Sequence, residues 1–182
     1  MQTATNGSGV DRAIRQLTFD EVIRQSKLDT KTRVMMILAA TIVSQALGEY
    51  KVMVGAALNV GVTPVVIKAI LYQSVPYVGV AKVFDFLHAT NAVFQEKGIE
   101  LPLEGQSATS AETRFDKGVA AQKAIFGEAI DMLRQQASRD QLHIQDFLAA
   151  NCFGDYYTRK GIDLNLGDLT RNGFVPGGPG TF

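Results

Sequence analysis

The sequence predicts an all-α protein, a bundle of helices joined mostly by short turns. Three observations carry that prediction. Apolar residues recur at helical spacing along most of the 182 residues. Residues such as Thr18, Asp29, Thr63 and Ser138 stand at capping positions ahead of those runs. Gly61, Pro64, Pro76, Gly79 and Gly98 mark where one run stops and the next begins.

In chain order, Thr18 with Glu21 three residues on forms a capping-box pattern for a first short helix. Asp29 caps the next, TRVMMILAATIVSQAL, which is apolar on nearly every face and reads as a central buried helix. The β-branched residues of ATIV also suit a strand, but length and the lack of turn signals favour helix. Gly48 is expected to interrupt, with EYKVMVGAALNV resuming the helical spacing. Gly61 sits where a left-handed C-cap is needed. Thr63 caps a further helix with Pro64 at its first position, where a missing N–H is harmless. Pro76 is expected to stop that helix, and Gly79 to relax the corner. AKVFDFLHATNAVFQEKG is amphipathic and ends at Gly98. Residues 99–111 form a polar linker. Helices resume with RFDKGVAAQKAIFGEAIDMLRQQ, and Ser138 with Gln141 repeats the capping pattern before LHIQDFLAANCFGDYYTRKG. Residues 1–16 and the Gly/Pro-rich tail 174–182 read as flexible.

Hydrophobic residues make up 46% of the chain and charged residues 20%, enough for a packed core. The formal net charge is zero, which argues against nucleic acid and anionic membrane as partners. No signal peptide is visible, and the apolar windows are too short to span a bilayer. Cys152 is the single cysteine, so an intrachain disulfide and a dithiol redox pair are excluded, in keeping with a cytoplasmic protein. His88 and His143 each lack a second ligand at metal spacing, so neither a metal nor another cofactor is expected. Phe19, Leu28 and Asp29 share their spacing with Phe153, Ile162 and Asp163, a faint internal repeat.

The stretch GAALNVGVTPVVIKAILYQSVPYVGVAKVFDFLHATNAVF resembles the carboxymuconolactone decarboxylase family, which includes the alkylhydroperoxidase D-like proteins. The matching elements are Ala57-Leu58, Gly61, Thr63, Ile67, the Tyr77-Val78-Gly79 corner and Asp29 with Arg33. The resemblance covers residues 17–98, and residues 153–171, within the helical region 112–173, look like the start of a second, incomplete unit, as in a shortened tandem member. It implies an oligomeric helical bundle, commonly a homotrimer or hexamer.

The resemblance also implies where a site lies. In the thiol branch of the family the helix before the A-L-x-x-G turn carries C-x-x-C-x-x-x-H, and in the decarboxylase branch a histidine stands at the last of these positions. Here those positions are Ala46, Glu49 and Met53. A thiol peroxidase needs a nucleophilic and a resolving thiol, which Ala46 and Glu49 do not supply. A decarboxylase of this kind moves a proton with an imidazole, which Met53 is not.

Glu49 is the titratable residue left at that place. It is a candidate catalytic general base if apolar helices raise its pKa. Equally, a carboxylate at a helix start serves the macrodipole. Met53 and Tyr77 are the candidate ligand-pocket residues, with the Tyr77 hydroxyl either meeting a ligand or packing at a helix crossing. Cys152, flanked by Phe153, is expected to be a buried, inert thiol. Two function classes follow: a diverged or weak enzyme acting on or binding a small carboxylated lactone-type ligand, and a non-catalytic oligomeric binding or scaffold protein. A thiol peroxidase is the less favoured third.

Overall fold

Asp29 begins the first helix as its spacing predicts. Its carboxylate accepts from the Thr32 N–H at 3.0 Å and from the Thr32 hydroxyl at 2.6 Å, and these bonds hold its pKa below the usual carboxylate value. The structure, a computed structural model, describes residues 28–160. The Thr18–Glu21 cap, the terminal segments 1–16 and 174–182 and the repeat positions Phe19, Ile162 and Asp163 lie outside the described residues.

Helix α1 runs Thr30–Val43, α2 Leu47–Asn59, α3 Pro64–Val78 and α4 Val80–Glu96. These four pack around one core: α1 against α2 and α3, and α4 against α2 and α3. The buried stripe of α1 is Val34, Leu38, Ala39 and Ile42. Met35 and Ile37 are only partly covered, so within one chain α1 is buried along one face rather than all round.

The break after α1 comes earlier than Gly48. Helix α1 stops at Val43, Gln45 adopts a left-handed φ of 58°, and Gly48 lies inside the first turn of α2. The cause is side-chain capping. The Gln45 amide donates to the Ile42 carbonyl at 2.7 Å, and the Ser44 hydroxyl donates to the Ala40 carbonyl, so terminal carbonyls of α1 find partners in the turn.

At the other end of α2 the expected left-handed glycine is present. Gly61 has φ 81°, and the Val62 N–H closes back onto the Ala57 carbonyl at 2.9 Å. The Thr63 hydroxyl then accepts from the Val66 N–H at 3.3 Å, with Pro64 in the first turn of α3. Pro76 does not stop α3. The helix continues two residues beyond it to Val78, because a proline near a helix end forfeits a single bond and the turn is already formed; Gly79, at φ 88°, makes the corner instead. Between α2 and α4, Tyr50 is fully buried, its ring edge-on to Phe86 at 5.0 Å. Its hydroxyl lies 2.7 Å from that of Thr90, which donates to the Phe86 carbonyl at 2.7 Å, so Tyr50 is the donor in this chain of bonds.

No helix forms between Glu96 and Arg114. The region 114–136 holds two helices, α5, Arg114–Phe126, and α6, Ala129–Gln136, divided at Gly127 with φ 69°. Helix α7, Arg139–Phe147, passes without interruption into a π-helix, Leu148–Tyr157. Ten residues of π-helix is long, since the form mostly occurs as single-turn bulges. The π-helix packs chiefly on α5 and also touches α3, and the Lys160 N–H beyond it donates to the Gln106 carbonyl at 3.0 Å. Among the described residues there is no β-strand, and no helix is long and apolar enough to cross a membrane.

Candidate functional site

The position where the resemblance places an imidazole is filled by core. Met53 is 9% exposed and belongs to the buried stripe of α2 with Tyr50, Val54 and Ala57. Glu49, one turn earlier, is exposed in the first turn of α2. Residues four apart share a helix face, but α2 buries that face only from Tyr50 onward. Among the described residues no apolar enclosure surrounds Glu49, while its place at the helix start suits the macrodipole.

Tyr77 stands elsewhere, at the C-terminal end of α3, where it meets the π-helix. Its side chain is half exposed, and its hydroxyl is hydrogen-bonded to that of Tyr157. Burial pushes the pKa of Tyr77 up; burial and then the bond to Tyr77 push that of Tyr157 up. Gln73, one turn before Tyr77, is buried beside both phenols, and its Nε2 has no partner within hydrogen-bonding geometry. Cys152 lies on the π-helix, buried, with its pKa pushed up by burial to about 11. At neutral pH all three acids hold their protons. This cluster can donate hydrogen bonds, but it cannot take a proton, and its thiol is not a nucleophile.

Tyr157 and Gln73 are absent from the residues that spacing singled out. Tyr157 is 80 residues from Tyr77 in sequence and in another helix, and no local pattern joins them. His88 is exposed, with Phe84 edge-on at 4.7 Å, and His143 is exposed on α7. Among the described residues no group of three His, Cys, Asp or Glu side chains is placed to hold a metal ion.

Residues 9–92, which take in α1, α2, α3 and most of α4, match the model of the carboxymuconolactone decarboxylase family. Over that stretch the chain is similar to this family. No curated protein and no solved structure matches it. Within the carboxymuconolactone decarboxylase unit, Gly61, Thr63 and the Tyr77-Val78-Gly79 corner shape the helix ends around α3. Ala46 and Met53 stand on α2 and at its N-cap without a group that transfers protons or attacks peroxide.

Proposed function

We propose that this protein binds a small carboxylated, lactone-type ligand and turns it over weakly or not at all. The observation that carries this reading is Met53, packed into the core at the place where the family resemblance calls for an imidazole. A thioether neither gives nor accepts a proton at that step, and general acid–base groups typically supply about 10²–10⁴-fold in rate. The neighbouring Glu49 is the remaining titratable group there, now in contact with water. Thiol peroxidase chemistry is disfavoured further by Cys152, a single buried thiol held protonated. The test is to mix the full chain with 4-carboxymuconolactone and follow both binding and carbon dioxide release. Binding with turnover near the uncatalysed rate is the expected result. Rapid turnover would show that another residue carries the proton.

A second reading, a non-catalytic oligomeric scaffold, is favoured by a different observation. Val43, Val52, Val80 and Phe84 are 58%, 71%, 66% and 54% exposed on α1, α2 and α4, more apolar surface than a lone bundle of this size needs to show. We take the chain to assemble with copies of itself, as a trimer or hexamer, in the cytoplasm. In that case a ligand without measurable affinity would leave the scaffold as the function.

A further inference from the structure

Val65, Lys68, Ala69 and Tyr72 recur at three- and four-residue steps and so form one stripe along α3. The loop 102–106 and Arg159 join this stripe to line a cleft of 160 Å³. The loop is held in place at both levels: the Gln106 amide donates to the Glu104 carbonyl at 3.0 Å, and the Gln106 carbonyl accepts from the Lys160 N–H. The Arg159 guanidinium lies over the Tyr72 ring, 4.7 Å from its centroid.

Two cations share this cleft without a counter-ion. Neither Lys68 nor Arg159 forms an ion pair among the described residues, and Arg159 Nε is buried with no hydrogen-bond partner. Burial pushes the Lys68 pKa down, the sign of an ammonium partly withdrawn from water. Glu104 is the carboxylate on the rim, and it is exposed and makes no ion pair with either cation. Partly buried charge without a partner is unfavourable, and an anion brought by a ligand relieves it. The contact with the Tyr72 ring holds the Arg159 guanidinium at the cleft before any ligand arrives, and its fork of donors suits a carboxylate. The remaining wall is apolar: Val65, Ala69 and Leu103. A cavity of about 150 Å³ is large enough for a benzene ring.

We propose that this cleft binds a small organic carboxylate with an apolar body of at most one ring, its carboxylate held between Lys68 and Arg159. Inorganic phosphate would satisfy the cations but leave Val65, Ala69 and Leu103 against an ion. The site is separate from the Met53 position on α2, so either can fail while the other stands.

Benzoate is the probe, titrated into the full chain and followed by calorimetry and by backbone amide shifts. Saturable binding is expected, with shifts centred on Lys68, Tyr72 and the loop 102–106. Lys68→Met and Arg159→Gln each weaken it by about 10- to 100-fold, the effect of losing a charge-assisted bond. Glu104→Gln, a change on an exposed loop, tightens binding, and this variant keeps the test decisive if Arg159→Gln fails to fold. Phosphate binds more weakly than benzoate. Absence of saturable binding, or binding indifferent to Lys68→Met and Glu104→Gln, overturns the site. Phosphate binding as tight as benzoate overturns the ligand class. Benzoate binding here with no affinity for 4-carboxymuconolactone would leave this site standing and remove the function proposed above.

Discussion

A Cβ on Gly118 would stand 2.9 Å from the backbone nitrogen of Gly154 and 2.7 Å from the Ala149 carbonyl carbon. Helix α5 and the π-helix therefore cross backbone to backbone. Gly154 is matched from the other side, where a Cβ would press on the Arg114 carbonyl. The carboxylate of Asp155 then bridges the same two elements through its ion pair with Arg114. This crossing seats the π-helix, which in turn carries Tyr157 to Tyr77 and brings the chain to Arg159 beside Tyr72.

Gly118→Ala should therefore destabilise the protein by at least about 1–3 kcal/mol, the usual effect of overpacking, because the obstacle is backbone and cannot rotate away. Gly55→Ala is the control. Gly55 lies within α2 with nothing within 4 Å of its would-be Cβ, so alanine there should stabilise by about 0.5–1 kcal/mol. Thermal denaturation of the two variants beside the wild type checks both signs. A Gly118→Ala protein melting with the wild type would mean that the two elements do not cross this closely.

Stability should fall steeply in alkali, for a reason the buried acids define. Burial raises the Tyr50 pKa from 10.0 to about 12, and that of Cys152 from 9.0 to about 11. Above pH 9, and then above pH 10, the unfolded chain releases protons that the folded chain still binds. Fewer protons on the unfolded side means stability declines as pH rises. The contribution of each group is fully present below its unfolded pKa and is lost as pH climbs through the folded one. For Tyr50 this is worth on the order of 2 kcal/mol across its window. Tyr50→Phe should lower stability at pH 8 by about 1 kcal/mol, through the lost bond to Thr90, and flatten the decline between pH 10 and 12. Urea midpoints at pH 8 and pH 11 measure it. An unchanged slope in Tyr50→Phe would show that Tyr50 ionises freely in the folded state.

What was legible in the sequence depended on distance along the chain. Asp29 with Thr32, Thr63 with Val66, and the glycine at 61 involve partners within a few residues, and the structure keeps all three. The break at Gln45 was not legible, because a left-handed glutamine is uncommon and its reason is a side chain folding back on Ile42. Pro76 misled because its effect depends on where the helix ends, which Gly79 decides. The split at Gly127 turned on one residue within an otherwise helical pattern. The π-helix left no periodic trace distinct from an ordinary helix. For the site, counting back from Ala57-Leu58 located Met53 and Glu49, but not that one is buried and the other exposed. Tyr157 and Arg159 approach Tyr77 and Tyr72 of α3 only through tertiary packing, which spacing along one segment does not encode.

Met53 separates a core role from a site role by substitution. As core filling, Met53→Leu nearly conserves volume and should change stability by less than about 1.5 kcal/mol, whereas Met53→Ala should lose about 2–5 kcal/mol. Neither should alter any slow turnover of 4-carboxymuconolactone per folded molecule. Denaturant titrations and the carbon dioxide assay report the two effects separately. A Met53→Leu protein that is stable but loses turnover would place the thioether against the ligand.

The proposed assembly predicts that the exposed apolar side chains of α1, α2 and α4 lie in an interface. Val52 on α2 is 71% exposed and lies two residues from Val54, which is fully buried, so this helix shows apolar surface on opposite faces. Val80 and Phe84, one turn apart on α4, extend the exposed apolar surface, and α1 adds Val43. Such surface is stable in water when a second chain covers it, and the chain carries no net charge to keep copies apart. Light scattering at micromolar concentration should give the mass of a trimer or hexamer. Val52→Glu should shift that mass toward the monomer if α2 lies in the interface, with little effect on the fold, since the side chain already faces solvent within one chain. A clean monomer for the wild type would remove both the assembly and the scaffold reading that depends on it. A wild-type oligomer untouched by Val52→Glu would move the interface off α2 and onto the Val80–Phe84 face of α4.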